Sequence, residues 1–178
     1  QPKVRLHRAS TQRLLGATIS SPTIVEIVRH PWTDGAQAGL DALHLQAVSR
    51  RLDAEGIYVL CTHLNRWPDG GVAALAGQMT DTFAHVQAWL PPSGADSLIW
   101  VASHAPISAH RLAERFAAST AALDSLGYAA PEALLGSAVM GHSGLSAWGA
   151  DHPALPANHR MPTTLFDRPV FHAGHLSN

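Results

Sequence analysis

Four short apolar runs punctuate the chain, at Thr23–Val28, Ile57–Cys61, Ser97–Ser103 and Gly136–Met140. Each is rich in Val, Ile or Leu and lacks strict alternation, which is the pattern of strands buried on both faces of a mostly parallel sheet. Helical spacing fills the intervals. Leu45, Val48 and Leu52 share one face of a first helix. Leu75, Met79, Phe83, Val86 and Leu90 form a stronger stripe, stopped by Pro91 and Pro92. Leu112, Phe116 and Leu123 mark a third helix that starts after Pro106 and ends near Gly127. Strands alternating with helices predict an α/β protein, a three-layer α/β/α sandwich around a central four-stranded, largely parallel sheet with right-handed crossovers. Residues 1–22 read as an N-terminal arm with a short helix around Thr11–Leu15, and residues 23–178 as one domain. Within the latter, residues 149–166 carry Pro153, Pro156 and Pro162 and no clear period, the signature of an extended loop.

Composition narrows the picture. The 178 residues are enough for one domain that needs no metal or disulfide staple. Hydrophobic residues make up 46%, too many for a disordered chain. No apolar run approaches the roughly 20 residues that span a bilayer, so no membrane association is expected. The chain begins with Gln and lacks a charged-then-apolar leader pattern, so a processed chain or a fragment, in an intracellular setting, is the expectation. Cys61 is the single cysteine, which excludes an internal disulfide and makes a reducing compartment the default. The net charge of −1 argues against a strongly basic nucleic-acid binder. The twelve histidines are many for a chain this size and need an explanation.

In an open α/β sheet, ligands bind outside the carboxyl ends of the strands. The four runs lead into Arg29-His30-Pro31-Trp32, Cys61-Thr62-His63, Ser103-His104-Ala105-Pro106 and Gly141-His142-Ser143-Gly144. A parallel sheet would bring His30, His63, His104 and His142 to one rim. Zinc is one chemistry for such a set, but no H-x-x-x-H or H-x-H pair occurs at these ends and only Asp34 supplies a carboxylate, so no metal is expected. Arg29-His30 with Ser103-His104 resembles the R-H-G and S-H-G motifs of histidine phosphatases, although Pro31 replaces the glycine that lets a phosphate approach the backbone. Gly141-His-Ser-Gly-Leu145 approximates the G-x-S-x-G nucleophile elbow, with Leu145 in place of the last glycine. The bland alternative is that polar side chains gather where loops begin.

Read as an ordered set, the same segments resemble the uracil-DNA glycosylase superfamily. Val28-Arg-His-Pro-Trp-Thr-Asp-Gly-Ala-Gln-Ala-Gly-Leu40 is similar to the family's water-activating motif, G-Q-D-P-Y-H-G-P-G-Q-A-H-G-L. Gly56-Ile-Tyr-Val-Leu-Cys-Thr-His-Leu64 resembles G-V-L-L-L-N-x-x-L, and Trp89-Leu90 falls where the family has W-L. Ile99–Pro106 looks like F-L-L-W-G-S-Y-A-Q. Gly141-His-Ser-Gly-Leu-Ser146 is similar to the H-P-S-P-L-S intercalation loop, and Asp167–Asn178 to R-G-F-F-G-C-x-H-F-S-x-x-N. The order holds from residue 23 to residue 178, and it implies the family's α/β/α fold.

The resemblance also implies site residues, and most are altered. His30 stands where the family has the aspartate that activates water or stabilises the sugar cation, and an imidazolium would oppose an oxocarbenium. Asp34 is a weak substitute four residues on. Cys61 replaces the asparagine that reads the uracil edge and lacks its paired donor and acceptor. Ala42 or Leu43 falls where a ring stacks on the flipped base, and Trp32 where a tyrosine excludes the thymine methyl. His142 occupies the loop histidine position in a loop shortened by one residue. Ser143, Leu145 and Ser146 keep the serine and leucine places of the intercalation loop, from which both prolines are gone. Excision requires a flipped base held and read in a tight pocket. The expectation is therefore a glycosylase-like domain that has lost base excision and serves as a binding or structural module, with no cofactor. A protein partner or larger assembly is favoured, with DNA or RNA next. An active glycosylase and a histidine-phosphatase-like hydrolase are the alternatives.

Overall fold

The structure is a computed structural model that describes residues 21–28, 40, 42–67, 70–91, 96–107, 109–125 and 128–152. It is an α/β fold. Strand β1 (Ser21–Val28) leads to helix α1 (Ala42–Arg51), strand β2 (Leu52–His63) and a 3-10 turn at Leu64–Arg66. Helix α2 (Gly71–Thr82), strand β3 (His85–Trp89) and strand β4 (Ser97–Ser103) follow. Short helices α3 (Ala109–Ala118), α4 (Thr120–Ser125) and α5 (Pro131–Leu135) precede strand β5 (Ala138–Met140) and helix α6 (His142–Ala150).

The sheet is five-stranded and mixed, in the order β1-β2-β4-β3-β5. Only β1 and β2 pair in parallel; β2–β4, β4–β3 and β3–β5 are antiparallel. This corrects the expectation of four largely parallel strands, and the cause is local. The stripe from Leu75 to Leu90 is not one helix. It breaks at Phe83, whose backbone N–H caps α2 on the Met79 carbonyl at 2.9 Å. His85-Val-Gln-Ala-Trp89 then alternates as a strand, with Val86 and Ala88 buried and the residues between them half-buried. Val86 and Leu90 fit a helical spacing from Phe83 by coincidence, since periods of 2 and 3.6 overlap over so few positions. A short connection (90–96) turns the chain back, so β4 and every later strand run opposite to the expected direction.

Two smaller differences follow the same logic. The third helix divides into α3 and α4, and the run at Gly136–Met140 shortens to Ala138–Met140 after Pro131 starts α5. The proline-rich segment overlaps the end of α6 at Gly149–Ala150, and from residue 153 it lies outside the described residues, as do residues 1–20 of the expected arm, whose last two residues, Ser21 and Pro22, belong to β1.

The register sorts the strands into two faces. Ile24, Tyr58, Ala102 and Val86 form one row across the sheet, and Glu26, Leu60, Trp100 and Ala88 the next. These rows carry the main core, packed against Leu45 and Val48 of α1, Leu75 and Met79 of α2, and Leu145 of α6. Tyr58 stacks on Phe83 with ring centroids 5.7 Å apart. The indole Nε1 of buried Trp100 donates to Thr62 Oγ1 at 3.0 Å, and the Thr62 hydroxyl donates to the Leu98 carbonyl at 3.3 Å, so this polar chain inside the core is satisfied. On the opposite face, Ile27, Cys61, Ile99, Trp89 and Ala138 form a row, flanked by Val25, Val59, Val101 and Gln87. Val25 and Ile27 are 59% and 65% exposed.

Candidate functional site

The mixed sheet divides the strand-end histidines between two rims. His63 closes β2 at the rim where β1 also ends and β4 begins. His104 and His142 follow β4 and β5, which run the other way, so they lie at the opposite rim. The expected single rim of histidines therefore does not form. His30, Trp32 and Asp34 lie outside the described residues.

At the first rim, His63 and Ser97 face each other across β2 and β4, and Ser97 Oγ and His63 Nδ1 are hydrogen-bonded at 3.1 Å. The next backbone contact, Leu64 N–H to the Asp96 carbonyl at 2.8 Å, pins the two strand ends together. Cys61 lies two residues before His63 on the same face, half-buried, and burial pushes its thiol up, away from the thiolate that would make it a nucleophile or ligand.

At the second rim, His104 Nε2 donates to the Ser49 carbonyl at 3.0 Å, and its ring tilts against Phe83 at 5.9 Å. This imidazole ties α1 to the end of β4 and acts in the framework. Ser103 donates to the Ala105 carbonyl at 2.7 Å and closes the turn that follows. The pair Ser103-His104 is thus occupied by hydrogen bonds that hold the framework, which gives the phosphatase likeness no support.

The glycosylase-like residues that can be located do not converge. Leu43 projects from the first turn of α1 and is 67% exposed. His142 opens α6 after Gly141, with Nδ1 buried and unpartnered. Ser143 and Ser146 are exposed on α6, whereas Leu145 is fully buried in the core. As placed, Leu145 packs the helix and does not reach outward. Ser143 sits within the first helical turn, so it does not occupy a strand-to-helix elbow. Cys61 is on β2, three strand spacings from β5, or about 14 Å across the sheet.

One cluster was missed from the sequence. Glu26 Oε2 accepts hydrogen bonds from Tyr58 Oη at 2.5 Å and from His44 Nε2 at 2.8 Å, with the Glu26 and His44 side chains 15% and 11% exposed. It joins the edge strand β1 to β2 and α1. Burial, and then the neighbouring Glu26 charge, pushes the Tyr58 phenol well above its ordinary value. The available signal was a lone carboxylate inside an apolar run, which only a compensating partner makes tolerable.

Among the described residues, no three His, Cys, Asp or Glu side chains gather as ligands for a metal. No helix among them is long and apolar enough to cross a membrane. No protein-family model matches the chain, and no curated protein matches it in sequence.

Proposed function

We propose that this domain is a binding or structural module without base-excision activity, related in its motifs to the uracil-DNA glycosylases. The likeness rests on the order of the sequence motifs; the antiparallel pairing of β4 departs from the parallel sheet that it implies. The observation that carries the loss of excision is the separation of Cys61 from the α6 residues, together with the burial of Leu145. A glycosylase must hold a flipped base between its reading, activating and inserting groups in one pocket. A side chain that fills the core cannot also enter a duplex without opening that core. The near-neutral charge and the exposed apolar Val25 and Ile27 favour a protein partner over a polyanion.

A gel assay with uracil-containing single- and double-stranded oligonucleotides, run beside an active glycosylase, tests this reading. No strand cleavage is expected after alkali treatment. Robust cleavage that disappears in His30→Ala overturns it and makes imidazole the replacement for the missing carboxylate. DNA binding without cleavage, falling steeply with added salt, would replace the protein partner by nucleic acid and leave the loss of excision standing.

A further inference from the structure

Ser97 and His63 combine three properties that neither the glycosylase likeness nor the core uses. The hydroxyl is within hydrogen-bond reach of an imidazole nitrogen, at 3.1 Å. Both residues are half-buried at a strand end and have no other partner among the described residues. Both are held on rigid backbone, since His63 and Ser97 are register partners in the β2–β4 ladder and the Leu64–Asp96 hydrogen bond closes the junction beside them. A serine hydroxyl is a weak nucleophile by itself, and an adjacent base that takes its proton activates it. The pair also sits at the carboxyl end of the one parallel strand pair, where α/β sheets place their ligands.

We propose that Ser97 is a reactive nucleophile and His63 its general base, and that the site accepts acyl groups from esters with an apolar acyl chain. The acyl preference follows from the surface beside the pair. Two residues along each strand and on the same face lie Cys61 and Ile99, continued sideways by Ile27 and Trp89. A chain bound to Ser97 would lie along this apolar row. In the reaction, Ser97 Oγ attacks the ester carbonyl carbon as its proton passes to His63 Nδ1. The ester C–O bond then breaks, and the leaving alcohol carries away the proton from His63. The products are an acylated Ser97 and a free alcohol; water, deprotonated by the same nitrogen, releases the acid and restores the serine. This chemistry is independent of base excision, and it stands whether or not the glycosylase likeness holds.

The test is acylation of the full chain by p-nitrophenyl butyrate, read as released nitrophenolate and as a butyryl group located by mass spectrometry. The expected result is a burst of nitrophenolate and, in samples quenched with acid before water releases the acyl group, one butyryl group on Ser97. Ser97→Ala should abolish it. His63→Gln should slow it by about 100-fold or more, the usual contribution of a general base, with the far-ultraviolet circular dichroism of the parent. Ser119→Ala, an exposed serine between α3 and α4, should react at the parent rate. Butyrylation of Cys61 or Ser143 in place of Ser97, a His63→Gln rate equal to the parent's, or no acylation above that of the urea-unfolded chain would each overturn the proposal.

Discussion

Helices α2 and α6 cross at two glycines, and the crossing is unequal. A Cβ built on Gly149 would stand 2.5 Å from Gly77 Cα, against the Gly77 backbone nitrogen, and 3.1 Å from the Ala73 carbonyl oxygen. All three are backbone atoms of a packed helix, so none can swing aside as a flexible side chain does. The atoms nearest to a Cβ built on Gly77 are the Gly149 carbonyl oxygen at 3.4 Å and its two carbon atoms at 3.5 Å, ordinary contact distances. Gly149→Ala must therefore push the two helices apart. Overpacking of a dense core costs about 1–3 kcal/mol, and a backbone-to-backbone clash belongs at the upper end. The gain in helix propensity over glycine returns about 1 kcal/mol. The net expectation is a loss of about 2 kcal/mol, which for a domain of this length lowers Tm by about 4–8 °C. Gly77→Ala collects the same propensity gain without the clash and should leave Tm unchanged or slightly raised. Thermal unfolding followed by circular dichroism at 222 nm compares the two variants directly. If Gly149→Ala is as stable as the parent, or if the two alanines cost the same, the crossing is not the backbone contact described here.

Other consequences are equally direct. Folding raises the Tyr58 pKa, so this residue's contribution to stability is complete below about pH 10 and is lost as pH climbs toward the raised folded value. Tyr58→Phe should remove that alkaline loss. At neutral pH it should cost about 1.5–3 kcal/mol, because the Glu26 carboxylate loses a donor; urea titrations at pH 7 and above pH 10 measure both effects, and an unchanged alkaline slope would assign it to other groups. Thr62→Val keeps the side-chain shape but strands Trp100 Nε1 in the core, a loss of about 1–3 kcal/mol that should appear as a lower urea midpoint with an unchanged slope.

By itself, the sequence determined the α/β class, the places of β1, β2 and β4, and the core residues Leu45, Val48, Leu75 and Met79; of the first two helices it located α1 without Leu52, which opens β2, and α2 only as far as Phe83. Those features are local, written in the spacing of apolar side chains, and no distant contact overrides them. Strand direction is not local. It depends on the number of reversals along the chain, so hiding β3 inside a helical stripe was enough to invert β4 and β5 and to send His104 and His142 to the far rim. Which face a side chain joins is also a tertiary decision, because it follows from register. Leu145 reads as an exposed loop residue in its Gly-His-Ser-Gly-Leu context, yet α6 carries it into the core. Glu26 and His44 are 18 residues apart, and His63 and Ser97 are 34 apart, so neither pairing has a sequence spacing to announce it. Only the folding of β1 and β4 onto the two edges of β2 brings these polar atoms within hydrogen-bond distance.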